Sequence, residues 1–202
     1  MITAHDRFTA NIDRARDLRA LFANLTASTS GALDLTDILR ASIVSAVSAF
    51  DAFIHEISKT GMIEIYKGTR PRTDAFGRFP VLMQNVLVGI ATPGDTKWLE
   101  EEIVRQHGWL SFQQPDKVAD AIRLFCGKDL WRDVGIQLAI DAKSAKNRLS
   151  LIVDRRNKIA HEADMDPTSP GSRWPIDELL VRDVIDTLKQ IGDAILHVVT
   201  TP

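Results

Sequence analysis

Arg156, Asn157 and His161 place three complementary side chains within one short segment of the chain. The arginine offers a fixed fork of donors to phosphate oxygens. The asparagine can orient a neighbouring group, and the histidine can give or take a proton near neutral pH. This set suits cleavage of an RNA phosphodiester. RNA carries its own nucleophile, the 2′-hydroxyl, so an enzyme has only to remove that proton, protonate the leaving 5′-oxygen and stabilise charge on the phosphorane. That division of labour calls for no metal and no other cofactor.

The three residues fall on a helical pattern. Leu138, Ala145, Ile152 and Ile159 recur every seven residues, and so do Ala142, Leu149, Arg156 and Ala163. Both rows predict one inward stripe on a helix from about Gly135 to Ala163, with an arginine where an apolar residue is expected. A guanidinium there costs several kcal/mol unless it is paired or faces a wet cleft. On such a helix Asn157 and His161 nearly eclipse each other, whereas Arg156 and His161 are about 140° apart. Bringing both to one atom requires the helix end to unwind or a second copy of the helix to complete the site. A histidine in the last turn also feels the negative end of the helix dipole, which favours its protonated form.

The surroundings are basic. Between Ala142 and His161, Lys143, Lys146, Arg148, Arg155, Arg156 and Lys158 stand against Asp154 alone, although the whole chain carries a formal charge of -2. Arg155, Lys158, Arg148 and Lys146 are therefore the expected contacts to an RNA backbone. For the lysines, a solvated helix face explains the pattern as well.

The rest of the chain reads all-α, as an antiparallel helical bundle with additional short helices in one domain spanning residues 1–202. A first helix is predicted from about Ala4 to Leu25, ended by Ser28, Thr29, Ser30 and Gly31. A second carries Leu39, Ile43, Ala46, Phe50, Phe53 and Ile57 until Gly61 ends it. Residues 61–80 read as a connecting loop with room for one helical turn, the least ordered part. Shorter helices are expected near Val81 to Ile90, Thr96 to Trp109, Pro115 to Phe125 and Asp129 to Val134. A terminal helix from Pro175 or Ile176 has Leu179, Leu180, Val184, Leu188, Ile191, Ile195 and Val198 on its apolar side. With 202 residues, 45% of them hydrophobic, a full core can be buried. The polar N-terminus shows no signal peptide, and the best apolar run, Val81 to Ala91, is short and interrupted by Gln84 and Asn85, so a cytoplasmic location is expected. The single cysteine, Cys126, suits a reducing compartment and reads as a small buried hydrophobe.

At the motif the sequence resembles the HEPN superfamily, whose signature is an arginine, a polar residue beside it and a histidine a short way on; here four residues separate Arg156 from His161. The string from Val153 to Asp164 looks particularly like the RiboL-PSP-HEPN branch, and the segment Ser111-Phe112-Gln113-Gln114-Pro115 and Trp131 fit that branch too. The resemblance implies a helical bundle that forms a homodimer, with two motif helices meeting in a shared cleft, and metal-independent cleavage of an RNA substrate. It further implies a toxin or phage-defence effector with an antitoxin protein as possible partner, in a family some of whose members bind without cleaving. An acidic residue on an early helix often accompanies the signature. Asp51 is the counterpart here, either holding Arg156 or His161 by a charge-assisted hydrogen bond or standing as an ordinary surface aspartate.

Other residues read more plainly. His5, His55, His107 and His197 have no companions at metal or triad spacing, although His55 lies one turn after Asp51. Glu162, Asp164 and Asp166 form an acidic cluster that solvation explains as well as a cation does. Trp98, Trp109, Trp131 and Trp174 read as core or dimer-interface anchors. No phosphate-binding glycine loop or nucleophile elbow is present. Two rivals accompany the ribonuclease reading: a non-catalytic HEPN module that binds RNA, nucleotide or a partner protein, and an assembly domain in which Arg156 is locked in a buried ion pair.

Overall fold

The computed structural model describes residues 1–29 and 33–201, and Ser30 and Gly31, expected to help end the first helix, lie outside them. Among the described residues the secondary structure is helical apart from one isolated bridge between Met165 and Arg173. Four long helices make the bundle: α1 (Ile2–Ser28), α2 (Thr36–Tyr66), α8 (Ala142–His161) and α9 (Glu178–Thr200). Their ends are tied in pairs. Arg19 of α1 reaches Glu178 of α9, and Arg70, just past α2, donates to the Val199 carbonyl and touches the Met1 sulfur. The helices thus alternate in direction in the order α1, α2, α8, α9. Five short helices fill the span between α2 and α8: α3 (Asp74–Gly77), α4 (Met83–Ala91), α5 (Lys97–His107), α6 (Pro115–Arg123) and α7 (Leu130–Gln137).

Helix α2 is the centre of the core. Leu39, Ile43, Val47, Phe50, Ile54 and Ile57 are all buried, and α2 touches α1, α5, α6, α8 and α9. Among the described residues it is also, rather than residues 81–91, the helix long and apolar enough to cross a membrane, with a mean hydropathy of 1.4 over its best window. Its burial among the other helices reads as that of a core helix.

Three sequence expectations need correction. Gly61 does not end α2, which runs five residues further. A Cβ at Gly61 would fall within 3.0 Å of three carbons of Phe125, so the glycine is there for a close crossing. Residues 67–80 are not loose either: Arg70 pairs with Glu64 at 2.8 Å and lies over the Phe125 ring, and the Thr73 hydroxyl donates to the Leu124 carbonyl at 2.7 Å. The terminal helix starts at Glu178, where the Asp177 carboxylate accepts from the Leu180 N–H at 2.8 Å. Its buried face begins at Val181 and Ile185, whereas Leu179 is 57% exposed.

Gly61→Ala should lower the unfolding free energy by about 1–2 kcal/mol, overpacking against Phe125 outweighing the better helix propensity of alanine. Urea denaturation measures this, and an unchanged midpoint would mean that Phe125 moves aside freely.

Candidate functional site

Helix α8 begins at Ala142 because Asp141 caps it: the carboxylate accepts from the Ser144 N–H at 2.9 Å and from the Ser144 hydroxyl at 2.5 Å. Ahead of it Ala139 takes a left-handed φ of 53°, so the expected helix from Gly135 is two helices, and Leu138 closes α7 instead of opening the motif helix. From Ala142 onward the predicted stripe appears in part. Ala145, Leu149 and Ile152 are buried together with Val153, whereas Ile159 and Arg156 are half-buried and Ala163 is exposed beyond the helix end.

The three motif residues sit on the last turns of α8. Arg156 Nη1 donates to Asn157 Oδ1 at 3.0 Å, while its Nε is buried without a hydrogen-bond partner among the described residues. His161 is exposed. The helix stays wound through His161, where the Glu162 N–H still donates to the Lys158 carbonyl at 3.0 Å, so unwinding does not bring Arg156 and His161 together. No hydrogen bond joins those two side chains among the described residues.

After His161 the chain reverses through Ala163 (φ 51°) and Asp164 (φ 58°). Asp164 is fully buried, and its Oδ2 accepts from Arg40 Nε of α2 at 2.8 Å and from Arg155 Nη2 of α8 at 2.8 Å. The same two guanidiniums converge on the Trp174 carbonyl at 3.1 and 3.2 Å, and Arg155 also reaches the Pro175 carbonyl at 3.0 Å. The Trp174 N–H donates back to the Asp164 carbonyl at 2.8 Å. Arg155 is therefore not the RNA contact expected of it. Its side chain is only 17% exposed, and burial pushes its pKa below the usual arginine value against the pull of Asp164, with Arg40 adding to the depression. A buried ion pair does exist here, held by Arg155 and not by Arg156. Asp164 is likewise removed from the acidic cluster with Glu162 and Asp166, and no group of three metal-capable side chains converges among the described residues.

The other basic residues of α8 do not form one face. Lys146 pairs with Asp116 at 3.2 Å, Lys158 lies over the Trp174 ring at 4.9 Å, and exposed Arg148 lines a shallow groove of about 480 Å³ between α8 and α9. Among the described residues, Arg148 and Arg156 form no ion pair.

Asp51 points to different partners from those expected. Its Oδ1 accepts from the Phe112 N–H at 2.6 Å and its Oδ2 from the Gln113 amide at 3.2 Å, with no described bond to Arg156 or His161. The same segment reaches α8 through Gln114, whose amide donates to Asp154 at 3.5 Å, and α7 through Pro115, whose carbonyl accepts from Trp131 Nε1 at 2.9 Å. Phe112, Gln113, Gln114, Pro115, Asp51 and Trp131, far apart in sequence, thus form one hydrogen-bonded strap across three helices.

Sequence reasoning also missed a histidine pair. His55, 3.8 Å from Asp51, faces His107 with ring centroids 6.4 Å apart, and both rings pack on Phe112. Burial, assisted by His55, pushes the His107 pKa down to about 4. Only the one-turn spacing from Asp51 to His55 hinted at this. Trp131 is buried as expected, and Trp98 and Trp174 are half-buried, but Trp109 is 78% exposed. Cys126 is buried.

No known protein family, curated protein or solved structure matches the chain.

Asp164→Ala strands two buried guanidiniums and should cost about 3–5 kcal/mol in urea denaturation, whereas Arg156→Ala, which breaks no ion pair, should cost less than about 1 kcal/mol. The reverse order would return the buried-pair role to Arg156. Because His107 titrates lower in the folded chain than in the unfolded one, the unfolded state binds the extra proton between pH 6.5 and about 4, and stability falls as pH drops through that window. The loss is on the order of 3 kcal/mol. Comparing unfolding at pH 7 and pH 4.5 in the wild type and His107→Phe should show a smaller loss in the variant.

Proposed function

We propose that the protein is a metal-independent endoribonuclease of HEPN type, acting as a homodimer in a toxin or phage-defence setting. Arg156 binds the scissile phosphate, His161 transfers a proton and Asn157 orients the arginine. The observation that carries this reading is a contrast on one helix end. Arg40, Arg155 and Arg173 are all tied to carboxylates, while Arg156, among the described residues, is bonded to the motif's own Asn157 and to no carboxylate, beside an exposed His161. An arginine withheld from ion pairing, on a position that would otherwise be apolar, is suited to an anion supplied from outside.

Because Arg156 and His161 diverge around a helix that stays wound, the proposal requires a second chain to complete the site. The groove between α8 and α9 supports such pairing. Leu151 is 69% and Leu179 57% exposed there, beside half-buried Leu180 and Val184. Arg148 at one edge and Asp177 and Asp183 at the other make the patch self-complementary across a twofold axis. Lys158 and Lys146, each already held by a local partner, stand at the margin of the RNA path, and Arg148 belongs to the dimer contact. Asp51 acts at a distance, fixing the strap against which α8 packs. Should the chain remain a monomer, the binding-only reading becomes the better one, since no single copy brings the acid–base group and the guanidinium together.

Purified protein should cut RNA in the presence of chelator and leave a 2′,3′-cyclic phosphate. Arg156→Ala and His161→Ala should each reduce cutting by at least about a hundredfold, and Leu151→Glu should reduce both cutting and the dimer mass measured by sedimentation. Undiminished cutting by both motif variants would overturn the assignment, and binding without turnover by wild-type protein would favour the non-catalytic module.

A further inference from the structure

At the end of the bundle opposite the motif lies a cleft of about 780 Å³, bounded by residues 69–78, by residues 123–128 and by the last turn of α9. Its distance from His161 follows from α9. The α9 N-terminus adjoins the Asp164 turn, and its C-terminus, about 35 Å away, lines the cleft. The chemistry of this cleft is therefore independent of the motif's.

The lining contains Arg70, Arg72, Arg78, Arg123 and Lys128 against Asp74 alone. Two of these cations neutralise the negative end of α9: Lys128 donates to the Val198 and Thr201 carbonyls at 3.1 and 2.8 Å, and Arg70 to the Val199 carbonyl at 3.0 Å. Arg70 is further balanced by Glu64, and Arg123 by exposed Asp120 at 2.7 Å. Arg72 and Arg78 remain. Both are exposed, and neither forms an ion pair among the described residues. The Arg72 guanidinium lies against Gly77, its Nη2 2.7 Å from where a Cβ would stand, so the absence of a side chain at residue 77 sets where this charge rests. Setting aside Lys128, which is engaged at the end of α9, and the two balanced pairs leaves Arg72 and Arg78 against Asp74, a local excess of positive charge in a concave site on a chain whose net charge is -2. Like charges gathered in a cleft repel one another and attract an anion of matching charge.

We infer that this cleft binds a small phosphorylated molecule carrying two or more adjacent phosphates, with Arg72 and Arg78 as its principal donors and Arg123 at the rim. Two separated guanidiniums match a diphosphate or triphosphate better than a single phosphate. The volume falls in the range of small-molecule sites. It encloses a polyphosphate group with or without an attached nucleoside, not a long strand.

Isothermal titration of the full chain tests this, with sodium tripolyphosphate as one probe and a nucleoside triphosphate as the other. Both should bind saturably at one site, and the combined substitutions Arg72→Ala and Arg78→Ala should weaken binding at least about tenfold. The charge-matched pair Arg14→Ala and Arg182→Ala, on exposed positions of α1 and α9, should leave it unchanged. Equal affinity for the two probes assigns recognition to the phosphates, and tighter binding of the nucleoside triphosphate adds a base contact; either supports the site. Absence of saturable tripolyphosphate binding, binding only of long RNA, or equal weakening by the charge-matched pair would overturn it.

Discussion

The shared carboxylate of Asp164 is the interaction on which the motif end of the bundle depends. It draws Arg40 from α2 and Arg155 from α8 to one oxygen, and the Trp174 carbonyl takes a second hydrogen bond from each. Three charged groups removed from water in this way hold together through their mutual pairing and hydrogen bonds, although Asp164 Oδ1 and Arg155 Nε are buried without a partner among the described residues. That pairing fixes the spacing of α2 and α8 and the path of the returning chain. It also explains two consecutive residues in the left-handed region, Ala163 and Asp164, each of which costs about 1–3 kcal/mol unless its surroundings hold it there. The exposure of His161 follows, because the chain turns away immediately after it.

Arg155 and Arg156 show how adjacent residues of one type acquire unlike tasks. On a helix they point about 100° apart. One turns toward the Asp164 turn and is consumed by the fold. The other turns toward a surface where its nearest polar partner is the side chain of Asn157. A high local density of positive charge therefore does not amount to a positive face: Lys146 and Lys158 have also found local partners. Among the described residues, the cations of α8 left without an ion pair or ring partner are Lys143, Arg148 and Arg156, fewer than its composition suggests.

The strap formed by residues 112–115 gives Asp51 a role that differs from direct contact with the motif. By holding Phe112 and Gln113, Asp51 anchors a segment that also touches Asp154 of α8 and Trp131 of α7. Its link to the motif helix runs through this hydrogen-bonded segment, and among the described residues it makes no bond to Arg156 or His161. The His55–His107 pair lies under the same segment, so the protonation of a buried ring and the seating of the strap are physically linked.

The helical class, the long stripes of α1, α2 and α9, and the grouping of Arg156, Asn157 and His161 on one helix end could all be read from the chain, because 3.6-residue periodicity and turn chemistry are properties of neighbouring residues. Gly61 reads locally as a terminator, whereas the reason for a glycine there is Phe125, sixty-four residues away. The break before α8 escaped notice because it contains neither glycine nor proline; the Asp141 cap with Ser144 was its one local trace. Which arginine would be neutralised, which carboxylate would do it, and what Asp51 would hold were decided only when α2, the 111–115 segment and the Asp164 turn came together. Pairing of buried charges is a choice among partners distant in sequence, made by the desolvation cost of leaving any of them alone, and local pattern carries no record of it.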